Sequence, residues 1–313
     1  MNDSVNRVKN RASLELHHRK AESARTAMKN DHQESQTPTS NMCTMAIDLE
    51  KVLSLPALTH CQMYYLRQLS CYNLCIHKAD NNKGLMFLWH EGISGRGGNE
   101  IASCVLKGIK SNITHKKQFV IWSDNCCGQN KNKMIVFLWI YLVCNGYADE
   151  IQHKFVVSGH SYLSCDRDFA IIEKKRKKAK CEVPMDLCRV ICNACDKNSF
   201  ETTMMQEEDF FNFAKLAQLY LNTTQLEISK VVWIKVSKDN PGRVCTKKTF
   251  SDLEPWKITN VFKKNITKNH IVGMNLPQLE MATRLNNEKK ADLKKMIPYL
   301  KEENKQFYRE LTA

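Results

Sequence analysis

The chain has 313 residues, 42% of them hydrophobic, enough for one sizeable core with appendages or for two modest domains. A formal charge of +14 and a pI near 9.1 point to a polyanionic partner such as nucleic acid. No run reaches the roughly 18 apolar residues of a membrane span, which excludes a helical membrane protein and removes the membrane from the expected partners. The N-terminus is polar without a signal-peptide core, so an intracellular chain is expected. Its 14 cysteines then read as small hydrophobes, not as a disulfide framework.

In chain order, residues 1–41 read as a helical arm, "VNRVKNRASLELHHRKAESARTAMKNDHQ", and the linker "ESQTPTSN". "MCTMAIDLEKV" reads as a strand that ends before Pro56. After the helical piece "MYYLRQLS", the runs "CYNLCIHKAD" and "LMFLWHE" flank the turn "NNKG" and form a hairpin. "GRGGNEIASCVLKGIKSN" has helical spacing at Ile101, Val105 and Ile109. "QFVIWSD" then reads as a buried strand, "NKMIVFLWIYLVCNG" as a buried helix stopped at glycine, "IQHKFVVSG" as a strand and "SCDRDFAIIEKKRKKAK" as a helix. Residues 42–180 thus form the main domain, and 181–313 an α-rich extension with helices at "PMDLCRVICNAC" and "EEDFFNFAKLAQLYLN". In the extension, "ISKVVWIKVS" reads as a strand, and the charged C-terminal helical pair breaks near Pro298. "GISGRGGNE" fits neither the Walker nor the dinucleotide pattern.

Three antiparallel strands, then helix, strand, helix, strand, helix, resemble the element order of ribonuclease H-like nucleases and transposases. The expected fold is therefore α/β, a mixed five-stranded sheet flanked by helices. Cutting or joining a phosphodiester at two divalent ions needs hard oxygen ligands, so Mg²⁺ or Mn²⁺ held by carboxylates is expected. The acids fall accordingly: Asp48 on the first strand, Glu100 in the first turn of the first long helix, Asp124 ending the fourth strand, and Asp166 and Asp168 at the start of the following helix. Asp166 and Asp168 compete for the late position, because helical phase puts them on opposite sides of the Phe169 and Ile172 face; Asp168 is preferred. His160 is placed to assist proton transfer. Each has a plainer reading: an Asx turn for Asp124, a dipole-favoured first-turn acid for Glu100, a hydrogen-bonded loop histidine for His160.

"AIDLEKVLSLPAL", "YYLRQLSCYNLCIH", "FLWHEGISGRGGNEIASC", "WSDNCCGQNKNK" and "SGHSYLSCDRDFAIIEK" together resemble the family called domain of unknown function 7869, over roughly residues 43–310. That resemblance implies a fold and an origin in mobile elements; it leaves oligomeric state open, although transposases generally act as multimers and a homo-oligomer is compatible with it. Members are commonly longer at the N-terminus, so a separate DNA-recognition region is not expected within this chain.

Cys181, Cys188, Cys192 and Cys195 crowd one predicted helix at core spacing instead of forming two separated knuckles, which argues against zinc. Cys126 and Cys127 are expected only to shape a turn. The densest basic run supplies Lys174, Lys175, Arg176, Lys177 and Lys178, which read equally as a phosphate-backbone contact to DNA, as a nuclear import signal or as a solvated helix face, with Lys131 and Lys133 expected near a phosphate and a nuclear location expected. No run interleaves basic and aromatic residues, so backbone contact and not base stacking is expected.

Overall fold

The computed structural model describes residues 2–60, 65–112, 116–160, 162–195, 199–280 and 285–313. Part of the helical piece expected at "MYYLRQLS" lies outside them. Among the described residues, ten strands form one mixed sheet flanked by helices, a mixed α/β architecture.

Five strands make its centre: β1 (Met42–Leu49), β3 (Leu69–Lys78), β4 (Lys83–His90), β5 (Gln118–Ser123) and β6 (Glu150–Phe155). They lie in the order β4-β3-β1-β5-β6. β3 runs antiparallel to both β1 and β4, whereas β1, β5 and β6 are parallel. The short β2 (Leu53–Leu55) pairs with β3. Central strands buried on both faces need near-continuous apolar runs, and β1 has one: Cys43, Met45 and Ile47 enter one core while Met42 and Ala46 enter the other.

The sheet continues into the segment expected to be α-rich. β7 (Glu201–Met204) adds parallel to β4, and β8 (Trp233–Ser237), β9 (Arg243–Lys247) and β10 (Lys257–Asn260) extend it antiparallel beyond β6. The five-stranded expectation therefore undercounts: β7, β9 and β10 have four or five residues each, too few to show a clear alternation.

Helices cover both faces. α2 (Gly98–Asn112) and α3 (Lys133–Cys144) pack on the first core with α6 (Phe213–Tyr220). Asn132 caps α3 by accepting the Met134 and Ile135 N–H groups, and every residue from Ile135 to Cys144 is buried. On the second face lie α1 (Asn2–Ser35), α4 (Ser164–Arg176), α5 (Pro184–Cys192), α7 (Asn287–Met296) and α8 (Glu302–Thr312).

The N-terminal arm is docked onto the sheet. Ala21 and Ala24 are buried, and the Lys154 ammonium donates to both Asp31 oxygens at 2.9 and 2.8 Å while the Trp122 indole N–H donates to Oδ2 at 2.8 Å. Among the described residues no helix is long and apolar enough to cross a membrane.

Candidate functional site

β1, β5 and β6 all finish at the same end of the sheet, and Ile47 lies beside Ser123 in the β1–β5 register, which makes Asp48 and Asp124 neighbours on adjacent parallel strand ends. Both follow their strands' alternation onto the α4 face, in phase with Ala46 and Trp122. Burial and the negative charges of Asp124 and Asp166 push the Asp48 carboxyl up to about 7, although the Leu49 N–H it accepts at 2.9 Å works the other way. Among the described residues no cation is among the groups acting on it. Asp124 is held by the turn that follows: its Oδ1 accepts the Asn130 amide at 2.6 Å and the Cys126 N–H at 3.2 Å.

α4 sets the two candidate late acids in different surroundings. Cys165 and Ile172 face the sheet, with the Cys165 thiol donating to the Ala46 carbonyl. Asp166 is exposed, and its Oδ2 accepts the Leu163 N–H at 2.8 Å, closing the start of the helix. Its charge reaches Asp48. Asp168, two residues on and about 200° around the helix, is buried elsewhere. Its Oδ2 lies 2.6 Å from His77 Nδ1 and 3.6 Å from the Cys75 thiol on β3. Gly84 permits this approach, since a Cβ there would stand 2.9 Å from the same oxygen. Of the two, Asp166 is the one whose charge acts on Asp48, while Asp168, the preferred candidate, is held by a buried histidine.

Other expected residues are also engaged. Glu100 accepts the Ser94 hydroxyl and the Gly97 N–H, both at 2.9 Å, so its two oxygens close the loop before α2. His160 stands with two arm histidines, its ring centroid 5.0 Å from that of His17 and 5.5 Å from that of His18, and not with the acids. Lys131 is buried: its ammonium donates to Asn125 at 2.6 Å and to the Ser229 carbonyl at 3.1 Å, and burial lowers its pKa. It braces the turn and is withdrawn from phosphate contact, whereas Lys133 is exposed. Lys174, Lys175, Lys177 and Lys178 are exposed, and Arg176 pairs with Glu173 at 3.1 Å. The Cys126 carbonyl accepts the N–H groups of Gln129, Asn130 and Lys131, so the adjacent cysteines do form the turn.

Among the described residues, no three His, Cys, Asp or Glu side chains close on one metal position. Asp48 and Asp124 nevertheless offer only oxygen donors, and burial and the Asp124 charge raise the Asp48 pKa, a donor set that suits a hard divalent cation better than a soft one. Sequence reasoning missed Asn130 as the group that orients Asp124; its spacing of six residues, within a turn rich in asparagine, carried no period to find it.

The pH dependence follows from Asp48. Unfolded, it releases its proton near pH 4; folded, near 7. Between these values the folded chain binds the extra proton, so this group costs stability progressively as pH rises through the window. Asp48→Asn is expected to match the wild type below pH 4 and to exceed it above pH 7 by an amount on the order of 4 kcal/mol. Urea denaturation at pH 4 and pH 8 measures the difference, and an equal offset at both would contradict it.

These features define a mixed α/β protein with a carboxylate pair at one end of its sheet. The model of the family described as domain of unknown function 7869 matches residues 74–252, more than half of the chain, and the chain belongs to that family. The match runs from within β3 to beyond β9, taking in Asp124, Asp166 and Asp168 and leaving Asp48 outside. Neither a curated protein nor a solved structure matches the chain.

Proposed function

We propose that the chain is a transposon-derived protein with a ribonuclease H-like core that cleaves or joins phosphodiester bonds of nucleic acid with a divalent metal ion. The observation that carries this reading is the pairing of Asp48 with Asp124 at neighbouring strand ends, with Asp166 above them and no cation acting on Asp48. The central strand order β4-β3-β1-β5-β6 supports it, because counted along the chain without the short β2 it places the first strand between the second and the fourth. The mobile-element origin rests on the motif resemblance.

Asp48, Asp124 and Asp166 would hold Mg²⁺ or Mn²⁺, which when bound supplies charge to the attacking and leaving oxygens. Asn130 keeps one Asp124 oxygen fixed and leaves the other for the ion. Asp166 retains Oδ1 in the same way while Oδ2 holds the helix start. Asp166→Asn is expected to remove Mg²⁺- or Mn²⁺-dependent cleavage of DNA and RNA substrates, and Asp168→Asn to retain it. Loss with Asp168→Asn alone in a folded protein would reverse the assignment.

A second reading, a nucleic-acid-binding relic without catalysis, is favoured by one observation: no three acidic or other ligating side chains among the described residues close on an ion. Both readings use the exposed lysines at the end of α4 for backbone contact. Each phosphate neutralised steepens the salt dependence of binding by about 0.9 in a log–log plot. Replacing Lys174, Lys175, Lys177 and Lys178 by alanine is therefore expected to flatten the slope by about 2 to 4. An unchanged slope would place the contact elsewhere.

A further inference from the structure

The sequence has no run of alternating basic and aromatic residues, but the sheet assembles one. In the register of β6, β8 and β9, Lys154, Trp233 and Lys247 form a row across three strands. The Lys154 ammonium lies 4.1 Å from the Trp233 ring centroid and the Lys247 ammonium 5.4 Å from it. Lys247 and Lys235 lie 5.0 and 4.8 Å from the centroid of Trp256, which stands edge-on to Trp233 at 4.9 Å. Phe250, from the loop after β9, bridges Trp233 at 6.1 Å and Trp122 at 5.4 Å, with ring planes inclined by 35° and 32°. Trp122 is two residues before Asp124 on the same strand face, so the aromatic row begins beside the acidic end.

Above Trp233 and Phe250, both only half-buried, a cavity of about 580 Å³ opens between this row and α1. Its floor is aromatic, and its other walls carry Arg19, Thr26, Asn30 and Asp252. The arrangement combines aromatic rings, a guanidinium at the rim that pairs with Glu15, and amide, hydroxyl and carboxylate groups at the sides, Glu22 and Asp31 among the last. Lys154 is already neutralised by Asp31, so the interior does not attract a phosphate. A planar heterocycle with edge hydrogen-bonding groups meets all these walls at once.

We propose that this cavity receives an unpaired nucleobase of a strand whose backbone continues toward Asp48 and Asp124, making nucleic acid with a single-stranded segment the preferred partner. Stacking on Trp233 and Phe250 is tolerant of sequence, and Asp252 favours bases that carry an amino group over thymine or uracil. The inference rests on the nucleic-acid reading of the acidic end but not on its catalysis, so binding is measured in EDTA.

The test uses the full chain with a fluorescent single-stranded oligonucleotide, a blunt duplex of equal length and the free mononucleotides. Wild type is expected to bind the single strand more tightly than the duplex. Phe250→Ala and Trp233→Ala should weaken single-strand binding roughly ten- to a hundredfold each while leaving duplex binding unchanged. Trp233→Tyr, which keeps a stacking ring, should restore most of it, and this separates loss of stacking from loss of fold. Equal single-strand affinity in Phe250→Ala and wild type would overturn the proposal, as would a mononucleotide binding as tightly as the oligonucleotide. Wild type binding duplex but no single strand would overturn it alone, and binding neither would remove the nucleic-acid reading with it.

Discussion

Asp31→Ala is expected to lower the unfolding free energy by about 3–5 kcal/mol, the cost of leaving one member of a buried ion pair without its partner. Only 5% of the Lys154 side chain and 12% of the Asp31 side chain is exposed. The substitution strands the ammonium of Lys154 beneath α1 and also removes the acceptor of the Trp122 indole N–H. Asp31→Ala combined with Lys154→Met should be markedly more stable than Asp31→Ala alone, because an apolar side chain over Trp233 has no charge to desolvate. Urea denaturation of the three proteins decides this, and a single-variant loss under about 1 kcal/mol would show the arm to be peripheral to the fold. The effect bears on the proposed base-binding cavity, because α1 forms one of its walls above Trp233.

Much of the central architecture can be read from the chain. The apolar runs of β1, β5 and α3 are long and bounded by clear turn residues, and each becomes the element expected of it. The short outer strands could not be read in the same way, because four or five residues at a sheet edge are held by their neighbours more than by their own pattern. The site divides similarly. Asp48 and Asp124 were legible because strand ends in an ordered succession of elements fix their positions along the chain. Asp166 and Asp168 could not be separated, since both occupy the first turns of one helix. What sets them apart is His77, some 91 residues earlier in the chain, which holds Asp168. Lys131 looked available among polar turn residues, yet Ser229 and Asn125 hold it inside. The pairing of Asp31 with Lys154 spans 123 residues and left no local trace.

Asp124→Asn is expected to reduce divalent-metal-dependent cleavage by about a thousandfold, the equivalent of roughly 4 kcal/mol of transition-state stabilisation. The asparagine has nearly the same shape and can still accept the Cys126 N–H and the Asn130 amide, so the turn should survive. What it removes is the negative oxygen facing Asp48. Its fold is therefore expected to match wild type by circular dichroism, and its Asp48 to titrate at lower pH once the adjacent charge is gone. The two effects together distinguish a lost ligand from a damaged scaffold. The decisive measurement is cleavage of labelled DNA and RNA by the purified chain in Mg²⁺ and in Mn²⁺, with Asp124→Asn alongside. Metal-dependent cleavage by wild type that disappears in the variant is the predicted result; equal cleavage by both, or none by wild type in either metal, would contradict a catalytic carboxylate pair.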